Sequence, residues 1–108
     1  MITFAEAMLI VHGELLPDWT NGTLHVLSSG LEDKRSYCVF AGAREYVVDH
    51  DINYLGLDQP IAFVDKGSGE VRLENEMYVA GRLEAMTKVA LTPAEIAQYM
   101  NDVERRAE

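Results

Sequence analysis

Two apolar runs, Pro60-Ile61-Ala62-Phe63-Val64-Asp65 and Glu70-Val71-Arg72-Leu73-Glu74, are separated only by Lys66-Gly67-Ser68-Gly69. Glycine supplies the positive φ that a tight turn needs, so the stretch predicts two antiparallel strands joined by a hairpin. A phosphate-binding reading fails on order. Lys66 precedes the glycines and a strand follows them, so no helix N-terminus gathers the backbone amides. Asp65 and Glu70 flank the turn, where they suit turn capping and cross-strand pairing with Lys66 or Arg72.

An antiparallel sheet needs a cover for its apolar face. Thr3 and Glu6 form a capping box, and Phe4, Met8, Val11 and Leu15 follow at helical spacing. Pro17 forbids continuation, so a helix is expected over 4–15. "TLHVLSS" alternates as a strand, "GLEDKR" reads as a turn, and "SYCVFAG" reads as the central strand. "REYVVDH" reads as a further strand or the end of that one, and "HDINYLGLDQ" as a loop. Met77, Val79, Leu83, Met86 and Val89 fit a helix. Thr92, Pro93 and Glu95 open a final helix over 93–107, with Ile96, Tyr99, Met100 and Val103 on its apolar face. The fold class expected is α+β. The N-terminal helix packs on a four- to five-stranded antiparallel meander, and one or two C-terminal helices complete a single domain over residues 1–108.

Net charge is −9, from 18 acidic and 9 basic side chains. Nucleic-acid binding needs the opposite sign, whereas an acidic surface steers a basic protein partner. Cys38 is the only cysteine, so neither an intramolecular disulfide nor a cysteine zinc site is expected, and the residue suits a buried position. No signal peptide or membrane-length apolar run is apparent, so the chain reads as cytoplasmic. Asn21-Gly22-Thr23 matches a glycosylation sequon, which in that compartment means a turn.

Asp49-His50-Asp51 is the densest set of metal-capable side chains, but neighbours on an extended chain point apart, and His12 or His25 would have to join them. A solvated turn is the simpler reading; a small metal- or ligand-binding enzyme built on those three residues is the alternative. Ser28, Ser29, Ser36 and Cys38 are nucleophile types without a recognisable elbow or base. No cofactor, catalytic residue or metal ligand is therefore assigned. Trp19, Tyr46, Tyr54 and Tyr78 lie in loops or beside acids, where aromatics either close core edges or anchor a protein partner.

"FAEAMLIVHGELLP", "SYCVF" and "PIAFVDKGSGEVR", in that order, resemble the YrhB-like domain, also known as the immunity protein 35 family of bacterial polymorphic toxin systems. Pro60, Val64, Asp65, Lys66, Ser68, Gly69, Glu70 and Val71 occupy the hairpin positions of the family, and Tyr37, Val39 and Phe40 its aromatic strand. The likeness spans about residues 3–73. It departs at Leu57-Asp58-Gln59 and Glu74-Asn75-Glu76, and the helix over 93–107 is an addition. The resemblance implies a helix followed by an antiparallel sheet, and an immunity protein that docks on a toxin and occludes it. Loop position and chemistry nominate Glu32, Asp33, Asp49 and Asp51 to face basic toxin residues, with Tyr54 as aromatic anchor. The runner-up is a phage or mobile-element accessory protein that binds a host factor. Homodimerisation through an uncovered edge strand is left open.

Overall fold

The computed structural model describes residues 1–55 and 61–107, without the side chains of 76–78 and 107. Pro60 and the 57–59 departure from the hairpin pattern lie outside the described residues, as does the side chain of Tyr78. The fold is α+β. Helix α1 (Phe4–Leu15) is followed by β1 (Leu24–Val26), β2 (Ser29–Glu32), β3 (Ser36–Val39) and β4 (Ala41–Ala43). Then come α2 (Arg44–Val47), β5 (Ile61–Asp65), β6 (Val71–Glu74), α3 (Glu76–Glu84), β7 (Thr87–Ala90) and α4 (Pro93–Ala107).

Five strands form one antiparallel sheet in the order β6-β5-β3-β2-β7, and β1 pairs with β4 in a separate two-stranded sheet. Strands β2, β3, β5 and β6 follow one another as a meander. Strand β7 then returns to the far edge, beside β2. Residues Leu24 to Ala43 are one long hairpin broken in the middle. Between the pairs Val26↔Ala41 and Leu31↔Cys38, one arm has residues 27–30 and the other only 39–40. The two surplus residues make a bulge, which bends the hairpin and divides its pairing between the sheets.

Strand alternation sorts the core onto the two faces of the larger sheet. Tyr37, Val39, Ala62 and Val64 meet Phe4, Ala7, Met8 and Val11 of α1 and Tyr99 of α4. The Phe4 and Tyr37 rings meet edge to face, with centroids 5.6 Å apart. On the opposite face, Cys38, Ile61, Phe63 and Met86 pack with Val79 and Leu83 of α3. At the bulge, Gly30 is buried, and a Cβ there would meet the Cys38 carbonyl and the Phe4 ring at 3.0 Å. A residue without Cβ is what lets α1 lie against the bend.

Both capping boxes are formed. Thr3 and Glu6 exchange bonds of 3.1 Å, and Thr92 and Glu95 exchange bonds of 3.0 and 3.3 Å. The hairpin at 65–70 is also as expected. Asp65 Oδ1 accepts from the N–H groups of Gly67 and Ser68 and from the Ser68 hydroxyl, and Gly69 has φ of 77°.

Four expectations are corrected. "GLEDKR" contains strand β2, because Leu31 packs against the core and β2 has partners on both sides; the turn is confined to residues 33–35. "REYVVDH" starts as the single helical turn α2, because bonds to Thr23 fix its first residues. The helix through Met77–Val89 ends at Glu84. Thr87–Ala90 is instead a strand, since β2 still had an edge to satisfy and Thr87 and Val89 suit one. Met100 is exposed, while Tyr99 and Val103 of the same helix join the core.

Overpacking the bend should cost stability, so Gly30→Ala is expected to lose about 1–3 kcal/mol in urea unfolding. Gly13, inside α1 with nothing within 4 Å of its Cβ position, provides the contrast. Gly13→Ala should gain about 0.5–1 kcal/mol from helix propensity. Equal effects at the two glycines would refute the role given to the bend.

Candidate functional site

Chain segments after β4 form a small, tightly tied structure. Arg44 N–H donates to the Thr23 carbonyl at 2.8 Å, and both Glu45 carboxylate oxygens accept from Thr23 N–H, at 3.1 and 2.9 Å. Gly22 makes this approach possible. It has φ of 66°, and a Cβ would collide with the Glu45 carboxylate and lie 2.8 Å from the Tyr54 ring.

Helix α2 is closed by two nested backbone bonds, from His50 N–H to Tyr46 O at 3.0 Å and from Asp51 N–H to Glu45 O at 2.8 Å. His50 sits between them in the left-handed region, with φ of 58°. Asp51 Oδ1 then accepts from the Asn53 backbone and side-chain amides, both at 3.0 Å, and starts a 3-10 turn over Ile52–Tyr54. Asn21 Nδ2 donates to Tyr54 O at 2.9 Å, and Trp19 Nε1 donates to Asn21 O at 2.9 Å. The Asn21-Gly22 turn therefore clamps the loop from the other side.

What this scaffold carries is apolar and exposed. Tyr46, Val48, Ile52 and Leu55 are 39%, 45%, 74% and 42% exposed, and they are half of the eight large exposed apolar residues among those described. Concentration of exposed apolar groups in one place is the signal of an interaction surface, whereas scattered ones are ordinary. Beside them lies a cavity of about 240 Å³ lined by Leu27, Phe40, Tyr46, Val47, Tyr54 and Leu55. Leu27 and Phe40 also line a shallower trough of about 350 Å³, which runs past Leu31 to Val89 and Ala90 of β7. Asp49 is exposed and Asp51 half-buried beside the apolar group, and Arg44 is the nearby cation of α2.

The five nominated residues divide between two ends of the long hairpin. Asp49, Asp51 and Tyr54 belong to the apolar surface. Glu32 and Asp33 lie at the opposite turn, up to about 20 Å along the strands. They are used internally. Lys66 is buried, with its Nζ 2.9 Å from Glu32 Oε1 and 4.7 Å from the centre of the Tyr37 ring. Asp33 Oδ1 accepts from Arg35 and Ser36 N–H groups, and its Oδ2 lies 3.4 Å from Arg82. Val48 is not nominated from sequence, because it lies in the strand-like run over 44–50; Ile52 and Leu55 lie in the stretch read as a loop, where the nominations fall on the acids and on Tyr54. The density of "YVVDHDINYL" was their only signal.

Asp49, His50 and Asp51 do not converge. His50 turns the chain, and one Asp51 oxygen is committed to Asn53. Among the described residues, no group of three or more His, Cys, Asp or Glu side chains is gathered in a way that could hold a metal ion. The Cys38 thiol is pushed up to about 12 by burial, which keeps it protonated and unreactive at neutral pH. No described helix is long and apolar enough to cross a membrane.

No family model, curated protein or solved structure matches this chain. The likeness to the YrhB-like domain rests on its motif residues alone.

Several titrating groups share one direction. Burial holds His12 and His25 below the usual imidazole value of 6.5, with Arg106 and Arg44 respectively adding to it. Burial pushes the Asp33 carboxyl up, but the Arg35 and Ser36 N–H groups with Arg82 outweigh it and hold it low. Bonds from Thr23, Ser68 with Gly67, and Thr92 hold Glu45, Asp65 and Glu95 low. In every case the unfolded chain binds the proton more readily, so stability rises with pH. The histidine share is lost as pH falls below 6.5, and the carboxylate share as it falls below 4.5 for Glu and 3.8 for Asp. The urea midpoint should therefore fall in two stages on acidification. A midpoint constant from neutral pH down through the carboxylate range would contradict these assignments.

Glu32→Lys should act through the fold. The Lys66 side chain is only 10% exposed, and Glu32 33%. Leaving that cation unpaired should cost roughly 1–3 kcal/mol, a figure reduced for the solvent that reaches Glu32. Unchanged stability on urea unfolding would sink the internal role.

Proposed function

We propose that this protein is a non-enzymatic binding module. Its docking surface is the exposed apolar group Tyr46, Val48, Ile52 and Leu55, rimmed by Asp49 and Asp51, and its occupant is a basic protein. The observation that carries this reading is the exposure of Ile52 and its neighbours on a scaffold held by hydrogen bonds that Trp19 and Asn21 donate and Asp51 accepts. A preorganised surface loses little entropy on binding. Apolar and aromatic side chains supply the affinity, with Tyr54 stiffening the cavity wall, while the carboxylates and the net charge of −9 steer a cationic partner. The motif likeness favours an immunity role, in which occupancy of this surface blocks a toxin. The same chemistry would serve an accessory protein that docks on a basic host factor.

The test is capture of a partner from native-host lysate by the tagged protein, repeated with two surface variants and one control. Asp49→Lys should weaken capture at low salt, and Ile52→Asp should weaken it at low and high salt alike. Replacing Glu104, an exposed acid of α4, by Lys should leave capture unchanged. A captured basic protein indifferent to both surface variants would overturn the assignment.

A further inference from the structure

A second cavity lies at the other end of the sheet, on the face that carries α3. It has a volume of about 400 Å³ and is walled by Arg35, Arg72 and Arg82, three of the nine basic side chains in an otherwise acidic protein. Ser36 and Phe63 line it on β3 and β5. Arg82 is set in place, with its guanidinium 4.3 Å from the centre of the Phe63 ring and 3.4 Å from Asp33. Arg72 projects beside it, since it is the cross-strand partner of Phe63. No described residue bonds or pairs with the guanidinium groups of Arg35 and Arg72, or with the Ser36 hydroxyl.

Two carboxylates share the wall, Asp65 and Glu70. Asp65 is partly answered, because one of its oxygens accepts three hydrogen bonds within the hairpin turn, and the Arg35 charge also acts on it. Asp33 is likewise committed to its turn and to Arg82. What remains is a pair of guanidinium forks and a hydroxyl without hydrogen-bond partners among the described residues, facing the charges of Glu70 and of Asp65, on which Arg35 also acts. Guanidinium forks match the paired oxygens of carboxylates and phosphates, and the cavity is of small-ligand size.

We infer that this cleft binds a small multivalent oxyanion, a phosphate or a dicarboxylate, between Arg35 and Arg72 with Ser36 beneath it. The site is separate from the apolar surface at residues 46–55 and does not depend on its proposed role.

The test is isothermal titration and amide NMR of the full chain with inorganic phosphate and with succinate, against sodium chloride at matched ionic strength. Saturable binding in the millimolar range or tighter, about 1 mM, is expected for at least one of the two oxyanions, with shifts confined to residues around Ser36 and Arg72. Phosphate alone or succinate alone would identify the ligand class. Arg35→Ala with Arg72→Ala should weaken binding about tenfold or more, and both side chains are exposed and unbonded, so the fold should be unaffected. Glu70→Gln should strengthen binding, because it removes one of the two opposing charges on the wall. Absence of saturable binding by both oxyanions, or weakening by Glu70→Gln, would overturn the inference.

Discussion

The two-residue bulge between Leu27 and Leu31 is the constraint on which the other features depend. It ends the pairing of β1 with β4 and sends β2 to pair with β3 and β7. It needs Gly30, because the Phe4 ring and the Cys38 carbonyl occupy the space of any side chain there. Past the bend, β1 and β4 still meet the core through Val26 and Ala41, and β4 leads into α2 and the loop through Tyr54. The exposed apolar group stands on α2 and the loop beyond it, outside the two core clusters, which leaves it partly uncovered. Its rigidity comes from local bonds at Thr23, Asn21, His50 and Asp51.

The opposite end is held by charge. Lys66 brings its aliphatic stem and ammonium over the Tyr37 ring and ends on Glu32. Its carbonyl accepts from Ile2 N–H, and the Tyr37 hydroxyl donates to the Ile2 carbonyl. The start of α1, β2, β3 and the hairpin turn are thus joined around one buried cation. Acids that look free for a partner in the sequence are consumed here in holding the sheet together.

Local chemistry made much of this legible. Thr3 with Glu6, Thr92 with Glu95, and the glycine turn at 67–69 each specify their structure within a few residues, and those elements lie where the sequence puts them. The misread segments depend on distant partners. Thr87–Ala90 is a strand because β2 lies beside it, and Arg44–Val47 is helical because Thr23 reaches across from β1. The candidate surface was half legible. Asp49, Asp51 and Tyr54 advertise themselves as loop acids and an aromatic, whereas Ile52 and Leu55 lie in the same loop but, as aliphatic side chains, could equally have closed an edge of the core. Glu32 and Lys66 are 34 positions apart, so their pairing could not be read from spacing.

The most direct measurement is amide hydrogen exchange on the protein alone and with its captured partner. If the exposed apolar surface is the docking surface, protection should rise on binding across residues 44–55, with a smaller rise at Leu27 and Phe40 along the shared cavity wall. The turn at Asp33 and the strand pairs around Lys66 should exchange at the same rate in both states. Protection that instead appears at the Asp33 turn, with residues 44–55 unchanged, would contradict the account.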